Sequence, residues 1–341
     1  MTKENGPPPN VNPLLEVTDL CKHFPLKGGF FDRSQGVVKA VDGVSFSIMR
    51  GTSFGLVGES GCGKTTTSRL ILRVIEPSGG QIAFRDRQEK RFELTALSPR
   101  QMRPLRRNIQ LIFQDPYASL DPRMTILRIV GEPLRACGPS HRKSYQEKVA
   151  ETLRLVGLRP EYMSRYPHAF SGGQRQRIGI ARALVTEPDL VVADEPVSSL
   201  DVSVQAQVLN LLQDLRARLS LSYLFIAHDM SVVRHFCEMV GVMYVGRLVE
   251  VAPRAALFGA PRHPYTEALL SAVPRLGPQR TDKKTLMVGC VADSANLPAG
   301  CCFHPRCRYK QAICEQQAPQ LRQVGPQHTV SCHFDFPLQG V

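Results

Sequence analysis

The sequence predicts an α/β fold with a mainly parallel sheet, and three observations support this. A short apolar run at residues 54–57 leads through a glycine-rich turn into residues 68–75, whose apolar positions have helical spacing. A second apolar run, residues 190–193, precedes the acidic pair Asp194 and Glu195. Further apolar runs alternate with helical patterns along the chain. Such alternation predicts a parallel sheet that binds ligands at the carboxyl ends of its strands.

The glycine-rich turn, called the phosphate loop below, matches the pattern G-x-x-x-x-G-K-S/T. Its residues are Gly58, Glu59, Ser60, Gly61, Cys62, Gly63, Lys64, Thr65 and Thr66. Glycines let the backbone curl so that N–H groups point inward, and the N-terminus of the following helix adds partial positive charge. Lys64 can reach the β- and γ-phosphates of ATP, and the Thr65 hydroxyl can bind Mg²⁺. A glycine turn with an accidental lysine is the alternative, which the flanking strand and helix disfavour.

Cys62 occupies a free position of this pattern. It is expected to do no chemistry itself, although its location in the loop predicts that ATP binding is sensitive to thiol reagents.

The remaining N-terminal elements follow in order. Residues 1–13 are rich in Pro and Asn and are predicted to be disordered. Residues 14–24 and 37–49 are predicted strands, the second half-buried and antiparallel, with a hairpin loop at 28–35 between them. Residues 77–107 are polar and rich in Arg, which predicts strands and loops at the domain edge.

Downstream, the pattern predicts a mostly helical region followed by alternating strands and helices. The segments are a strand at 109–113, mostly helix over 122–166, a helix at 175–184, the strand at 190–193, a helix at 204–219, a strand at 223–227, and a helix with two short strands ending near 251.

Composition limits the classes of function. The chain of 341 residues is 43% hydrophobic and 21% charged, with no apolar run long enough to span a bilayer. The first residues lack the apolar core of a signal peptide, which predicts a cytosolic protein. The net charge of +13 suits a negative partner such as ATP, a phospholipid surface or nucleic acid. Nucleic acid is disfavoured because the basic residues are spread out and no aromatic stacking platform is evident.

Asp194 and Glu195 come directly after a predicted buried strand. The first carboxylate can hold Mg²⁺ and the second can orient and activate an attacking water. The structural alternative is a helix N-cap with a neighbouring acid. The phosphate loop upstream favours the catalytic interpretation.

A second anion site is predicted at Ser171, Gly172, Gly173 and Gln174. A serine N-cap and two glycines precede a helix, so free N–H groups can bind phosphate. Because the chain already has one phosphate loop, this site makes sense if it closes over a nucleotide held by another subunit. A capped helix that binds no ligand is the alternative.

Taken in order, these motifs resemble those of an ATP-binding-cassette ATPase over about residues 14–260. The set comprises the phosphate loop, Gln114 after a strand, the signature Phe170-Ser171-Gly172-Gly173-Gln174, the acidic strand 190–195, the turn 198–201 and His228. The resemblance implies a P-loop ATPase core with an antiparallel β subdomain and a helical subdomain.

The resemblance also implies roles for single residues. Phe24 would stack on adenine, and Gln114 would sense Mg²⁺ and the attacking water and link them to the membrane partner. His228 would hold the γ-phosphate and water in line, and Asp201 would communicate across a dimer.

In the signature, the resemblance implies that Ser171 and Gly173 contact the γ-phosphate held by the opposite subunit. Phe170 stands where Leu is commoner in the family, and both are large apolar residues.

A narrower resemblance concerns the C-terminal part. The run Arg262-His263-Pro264-Tyr265-Thr266 and the segment 300–307 resemble the ATPase subunits of bacterial dipeptide, oligopeptide and nickel importers. The chain is most similar to the second ATPase of a dipeptide importer. This implies an ATPase at the cytoplasmic face of the inner membrane that works with a related ATPase subunit, two transmembrane permease subunits and, indirectly, a periplasmic or lipoprotein peptide-binding protein.

Two alternatives remain for the function. The transported solute could be an oligopeptide, nickel or another small solute, because no residue of this subunit is expected to touch the cargo. A soluble cassette ATPase that acts on DNA or ribosomes is disfavoured, because the sequence shows no coiled-coil or zinc insertion and no second cassette.

Five of the ten cysteines are crowded at the C-terminal end. They are Cys301, Cys302, Cys307, Cys314 and Cys332. In a reducing compartment such clustering favours metal over disulfides. Residues after about 288 have few large aliphatic side chains, so a metal centre would supply stability that a small core lacks.

The spacing C-x5-C-x6-C-x17-C, from Cys301, Cys307, Cys314 and Cys332, lacks the paired C-x-x-C of common zinc modules and favours iron–sulfur. The importer resemblance implies a 4Fe-4S cluster on these ligands. Zinc is an alternative, and free packed thiols are another. Cys302 could replace Cys301, and histidines could complete a zinc site; the candidates are His304, His328 and His333.

The sequence therefore predicts three parts: a disordered segment 1–13, a nucleotide-binding domain 14–261, and a small Cys-rich C-terminal domain over 262–341. The other cysteines are expected to be core or surface residues; they are Cys21, Cys137, Cys237 and Cys290.

Overall fold

The computed structural model of the protein describes residues 12–25, 36–136, 142–272 and 292–336. Several predictions fall outside these described residues. They are most of the disordered N-terminal segment, the hairpin loop at 28–35, and the environments of Cys137 and Cys290.

The larger sheet has eight strands. In spatial order they are Arg322–Gly325 (β11), His328–Val330 (β12), Arg247–Pro253 (β10), Met239–Tyr244 (β9), Ser53–Val57 (β3), Ser222–Ala227 (β8), Leu190–Asp194 (β7) and Ile109–Ile112 (β6). The five strands from β9 to β6 are parallel, and the remaining three pair antiparallel. Every residue of β3, β7 and β8 is buried, which explains why these strands appear in the sequence as continuous apolar runs.

The smaller sheet is antiparallel and forms the predicted β subdomain. Its spatial order is Val37–Ile48 (β2), Leu15–Pro25 (β1), Gly79–Arg85 (β4) and Arg91–Glu93 (β5). It packs on one face of the larger sheet, where the ring of Phe46 stacks on Phe54 with centroids 4.6 Å apart. Strand β8 alternates between the two cores: Leu224 belongs to the core shared with the β subdomain, and Phe225 belongs to the core on the opposite face.

Most of the helices cover the other face, where one group of them forms the helical subdomain; the helices that carry Leu70 and Met102 instead pack in the core shared with the β subdomain. The bounds of the helices are Lys64–Ile71 (α1), Pro99–Leu105 (α2), Ile126–Val130 (α3), Glu132–Ala136 (α4), Arg142–Leu155 (α5), Gly172–Leu184 (α6), Val202–Leu219 (α7), Met230–Phe236 (α8), Arg254–Gly259 (α9), Pro264–Ser271 (α10) and Ala312–Gln316 (α11). Helices α3, α4 and α5 pack against α6. Within the described ranges, no helix combines the length and apolarity needed to cross a bilayer.

Two helices differ from the sequence prediction for local reasons. Helix α2 lies in a region predicted as strands and loops. It begins at a capping box in which Ser98 and Gln101 bond to each other's backbone, with Pro99 in the first turn. Helix α6 begins three residues before the predicted start, because Ser171 and Gln174 form a second capping box.

The C-terminal strands join the larger sheet through non-local pairing. Strand β12 pairs antiparallel with β10, and Glu250 on β10 is fully buried. The Glu250 carboxylate accepts hydrogen bonds from the backbone N–H groups of Arg262 (2.7 Å) and His263 (3.0 Å), and its contact with Nε2 of His328 is 2.8 Å. These three partners offset the desolvation of a buried carboxylate.

Candidate nucleotide-binding and hydrolysis site

The phosphate loop connects strand β3 to helix α1, as predicted. Gly63 is the N-cap of α1 and has φ +109°. A Cβ atom there would lie 2.2 Å from the carbonyl oxygen of Ala40, and one at Gly58 would lie 2.2 Å from that of Met243. Glycine is therefore required at both ends of the loop by backbone conformation and by close packing.

Lys64 is buried, and its ammonium group is folded back onto the loop. Nζ donates hydrogen bonds to the carbonyl oxygens of Gly58 (2.8 Å) and Glu59 (2.9 Å). These carbonyls hold the charge at the place where phosphate oxygens are expected. Binding of a triphosphate can therefore proceed by an exchange of carbonyl partners for phosphate partners.

Thr65 and Asp194 lie next to each other beside the loop. The Thr65 hydroxyl donates to Oδ1 of Asp194 at 3.3 Å. Burial raises the pKa of Asp194, and the nearby Glu195 raises it further, whereas the Thr65 hydrogen bond lowers it. One hydroxyl and one buried carboxylate are oxygen ligands of the kind that Mg²⁺ prefers, and a cation there would offset the cost of burying the charge.

Gln114, Glu195 and His228 converge on a single oxygen atom. Nε2 of Gln114 lies 2.8 Å from Oε2 of Glu195, and Nδ1 of His228 lies 3.2 Å from the same oxygen. The three residues follow the adjacent parallel strands β6, β7 and β8, which explains why they meet. Among the described residues no group bonds to Oε1, so this oxygen can accept a proton from water.

Glu195 is held in an unusual backbone conformation. Its φ is +47°, and its N–H donates to the carbonyl oxygen of Ile226 at 3.0 Å. Positive φ at a residue other than glycine costs free energy and is concentrated at functional sites. The site opens into a pocket lined by Glu195, Ser198, His228 and neighbouring residues.

The signature residues lie at the exposed N-terminus of α6. The Ser171 hydroxyl accepts the N–H of Gln174 (3.4 Å), and the Ser171 N–H donates to Oε1 of Gln174 (3.1 Å). Gly173 is needed for packing, because a Cβ there would lie 2.6 Å from Cγ1 of Val204. Within the described chain, no hydrogen bond joins the signature to the phosphate loop.

Two further predicted residues lie at the surface. Phe24 is 40% exposed at the end of β1, with Nζ of Lys22 5.1 Å from the ring centroid. An exposed ring is available for stacking. Asp201 occupies the N-cap position of α7 and is exposed, but its side chain makes no capping hydrogen bond.

The structure does not support the predicted thiol sensitivity of Cys62. Its side chain is 1% exposed, and burial raises its pKa. A buried, protonated thiol is a poor target for thiol reagents.

Four of the five C-terminal cysteines line one small cavity. They are Cys301, Cys307, Cys314 and Cys332. Cys302 does not line it; burial raises the pKa of its thiol, and the nearby charges that act on it are those of Arg247 and Asp42. The replacement of Cys301 by Cys302 is therefore disfavoured.

Two of the candidate zinc-ligating histidines, His304 and His333, line the same cavity as the four cysteines. Nδ1 of His304 lies 2.9 Å from the carbonyl oxygen of Cys301, and Nε2 of His333 lies 2.9 Å from that of Gln317. His328 is paired with buried Glu250. The contact of His328 removes it from the candidates, whereas His304 and His333 each use only one ring nitrogen and line the cavity, so a mixed cysteine–histidine site stays an alternative.

Burial disfavours the thiolate forms of the cavity cysteines, and a bound metal would offset this effect. Burial raises the pKa of Cys301 to about 12 and that of Cys307 to about 11. Backbone N–H groups oppose this effect: that of Phe303 bonds to Cys301, and that of Tyr309 bonds to Cys307. N–H groups directed at sulfur favour thiolates and suit a metal centre.

Comparison with known proteins decides the family. The family model described as ABC transporter matches residues 41–198, and the model for the oligopeptide/dipeptide transporter C-terminal region matches residues 249–314. The oligopeptide transport ATP-binding protein AppF of Bacillus subtilis is 48% identical over 95% of this chain and 98% of the relative. This chain belongs to the ATP-binding subunits of ABC transporters. The dipeptide transport ATP-binding protein DppF of Escherichia coli is 47% identical over 94% of each chain.

Solved structures agree with the ABC ATPase fold. Structure comparison matches cbiO1 of Clostridium perfringens with a TM-score of 0.60 and 26% identity, over 72% of this chain and 90% of that one. The dimeric cassette MJ0796 bound to ADP and Pi has the same TM-score with 24% identity, over 70% and 98%. As an ABC ATPase, the chain hydrolyses ATP with Mg²⁺, and the hydrolysis is coupled to transport.

The structure adds two residues that the sequence interpretation did not assign to the ATP site. The phosphate-loop residue Glu59 is contacted by Tyr265 and by Arg306. Both belong to the segments 262–266 and 300–307, which resemble those of importer ATPases. No local spacing could have linked them to Glu59, because they are 206 and 247 residues away.

Proposed function

We propose that this chain is the ATP-hydrolysing subunit that powers the import of dipeptides or short peptides through a membrane ABC transporter. The convergence of Gln114 and His228 on Glu195 beside the phosphate loop supports the hydrolytic role. The similarity to AppF and DppF, and the match to the oligopeptide/dipeptide transporter C-terminal region, support peptides as the cargo.

Two ATP molecules would bind between a head-to-tail pair of subunits. Each would lie between the phosphate loop of one subunit and the signature of the other, with Phe24 against adenine. Lys64 would exchange its carbonyl partners for phosphate oxygens. Mg²⁺ held by Thr65 and Asp194, next to Gln114, would neutralise charge on the phosphates.

Hydrolysis would then use the assembled carboxylate. Glu195 takes a proton from water as the water oxygen bonds to the γ-phosphorus, and the bond from the γ-phosphorus to the bridging oxygen breaks, with its electrons leaving on ADP. His228 and Gln114 orient the carboxylate and the water. Asp201 would connect the two sites, so that hydrolysis opens the pair and moves the membrane subunits.

The assembly would contain a related ATPase subunit, giving a heterodimer, and two transmembrane permease subunits. A periplasmic or lipoprotein peptide-binding protein would deliver the cargo without touching this chain. The chain would lie peripherally at the cytoplasmic face of the inner membrane.

Co-expression with candidate permease subunits tests this proposal. We expect the purified complex to show ATPase activity that is stimulated by dipeptides together with the binding protein, and abolished in Glu195→Gln. If only nickel, or only longer peptides, stimulated the ATPase, that solute and not dipeptides would be the cargo. Copurification with nucleic acid instead of membrane subunits would overturn the transport role.

We also propose that Cys301, Cys307, Cys314 and Cys332 bind a 4Fe-4S cluster. All four line one cavity, which supports a shared site. Within the described residues, no three of these sulfurs lie within 4.8 Å of one another. Four thiolates on one zinc ion, each at about 2.3 Å, would lie only about 3.8 Å apart. A multi-iron cluster accepts more widely spaced sulfurs, and it would stabilise this segment.

Metal analysis of protein purified without air tests the cluster. We expect brown protein with iron and acid-labile sulfide, both lost in the Cys307→Ser/Cys314→Ser double variant. The neighbouring Cys302→Ser change is the matched control and should keep the cluster. Stoichiometric zinc in the wild-type protein would overturn the assignment.

A further inference from the structure

Glu59, in the phosphate loop, is bound by two residues of the C-terminal extension. We propose that Arg306 and Tyr265 position the phosphate loop through Glu59, so that the conformation of the cysteine segment 301–307 controls nucleotide affinity. This inference rests on the ATP-binding role of the loop. It does not depend on the cargo or on which metal the cysteines bind.

The first contact is a bidentate ion pair. Nη1 of Arg306 lies 2.7 Å from Oε2 of Glu59, and Nη2 lies 3.0 Å from Oε1. The Arg306 side chain is 6% exposed and that of Glu59 is 24% exposed. Two parallel charge-assisted hydrogen bonds in a mostly buried setting fix both the distance and the orientation of the carboxylate.

The second contact acts on the backbone. The N–H of Glu59 donates to the hydroxyl of Tyr265 at 2.9 Å, and Tyr265 is fully buried. The Glu59 N–H is thereby directed at the extension. The main chain and the side chain of one loop residue are both fixed from outside the loop.

Glu59 is also a partner of Lys64. Its carbonyl oxygen accepts a hydrogen bond from Nζ of Lys64 at 2.9 Å. When Lys64 turns to a triphosphate, the loop loses this internal bond and the one to Gly58. The two contacts from the extension persist through that exchange and can keep the loop in its binding shape. A loop that is already ordered loses less entropy on binding ATP.

The same segment is built into the cysteine cavity. Arg306 directly precedes Cys307 in a helical turn, His304–Arg306, that follows Cys301 and Cys302. The ring of Phe303 packs against Tyr265 with centroids 5.4 Å apart. It also meets Tyr244 at 5.3 Å. A displacement of the cysteine segment therefore moves both groups that hold Glu59.

Three variants of the Glu59–Arg306 pair test the inference by equilibrium binding of a fluorescent ATP analogue to the full chain. Arg306→Gln and Glu59→Gln should each weaken binding by about 3- to 30-fold, the usual range for residues that modulate a site without touching its ligand. The double variant should bind the analogue with about the affinity of whichever single variant binds it less tightly, since both changes remove the same interaction. Arg306→Lys keeps the charge without the bidentate geometry and should restore part of the affinity.

Arg262→Gln is the matched control. Arg262 also lies in the extension, and its Nη1 lies 2.7 Å from Oδ1 of Asp335, but it has no contact with the phosphate loop. Its loss should leave nucleotide affinity unchanged. If Arg262→Gln weakens binding as much as Arg306→Gln does, the effect is a general loosening of the extension and the proposal is wrong.

Hydrogen–deuterium exchange provides a readout that does not depend on activity. Without nucleotide, amides of residues 58–64 should exchange faster in Arg306→Gln than in the wild type. Because coupling is reciprocal, the ATP analogue should slow exchange in residues 301–307 of the wild type and not of the variant.

Tyr265→Phe serves as a second variant if Arg306→Gln does not fold. It keeps the aromatic packing and removes only the hydroxyl that accepts the Glu59 N–H. It should also weaken binding. Unchanged affinity and unchanged exchange in a folded variant of Arg306 or Tyr265 would overturn the proposal. Failure of peptide stimulation in the transport assay would leave these binding results unaffected, so the two proposals can fail separately.

Discussion

Replacement of Glu195 by glutamine separates ATP binding from hydrolysis. The carboxylate accepts contacts from Gln114 at 2.8 Å and from His228 at 3.2 Å, both on Oε2. A glutamine side chain has the same shape, and its amide oxygen can take the place of Oε2. Its NH₂ group then occupies the position of Oε1 and is unable to accept a proton. The variant therefore keeps the geometry of the site and loses its general base.

The expected size of the effect follows from these contacts. Exchanging two charge-assisted hydrogen bonds for neutral ones costs about 1–3 kcal/mol of stability. Loss of a general base lowers kcat by roughly 10²- to 10⁴-fold. Such a decrease corresponds to about 3–5 kcal/mol in the activation free energy. ATP affinity should stay within about threefold of the wild type, because Lys64 and Thr65 are unchanged and a difference of that size is under 1 kcal/mol.

Phosphate release and binding of a fluorescent ATP analogue measure the two quantities in the assembled transporter. Glu187→Gln is the matched control, because it makes the same chemical change just before strand β7, whereas Glu195 follows the strand at its other end. It should turn over at the wild-type rate. Near wild-type turnover in Glu195→Gln would refute the assignment of the general base.

Three further substitutions test other parts of the site. Lys64→Ala should weaken ATP binding at least tenfold, because no other loop side chain supplies a cation; unchanged affinity in a binding titration would contradict this role. Gly63→Ala should lower the free energy of unfolding by about 1–3 kcal/mol or more and should impair ATP binding, because the new Cβ is placed at a positive φ and clashes with the carbonyl oxygen of Ala40. Thermal melts with and without ATP measure both effects. Ser171→Ala should lower the ATPase activity of the assembled pair at least tenfold. Ser98→Ala, in the other capping box, is the control and should cost only about 1 kcal/mol of stability. Equal activities of these two variants would exclude a phosphate contact of Ser171.

Local sequence was sufficient for the central strands and for the loop they support. Strands β3, β7 and β8 are buried on both faces, so their apolar runs are unambiguous. The pattern also places Glu195 after a buried strand, whereas the roles of Gln114 and His228 came only from the family resemblance, and that their strands are neighbours of the Glu195 strand is seen only in the structure.

Other features depend on contacts that the sequence pattern does not encode. The hairpin β11–β12 pairs with β10 across more than 70 residues, and short polar strands of this kind have no strong periodicity. The choice between Cys301 and Cys302 depends on which side chain faces the cavity, and adjacent residues cannot be separated by spacing alone. The ion pair between Arg306 and Glu59 joins residues that are 247 positions apart in the sequence.

Some errors were local and had a signal that could have been used. The sequence Ser98-Pro99-Arg100-Gln101 combines an N-cap serine, a proline in the first turn and a glutamine three residues after the cap. It marks the start of α2 in a region that was predicted as strands and loops. The burial of Cys62 had no such signal, because the direction of a side chain within a tight loop is set by tertiary packing.

The central claim is that the ATP held by one phosphate loop is completed by Ser171 of a neighbouring subunit. The most direct measurement is a structure of the Glu195→Gln transporter trapped with ATP and Mg²⁺. The account predicts the Ser171 hydroxyl and the Gly173 N–H within hydrogen-bonding distance of a γ-phosphate bound by the other subunit. A trapped complex in which Ser171 is far from every γ-phosphate would contradict it.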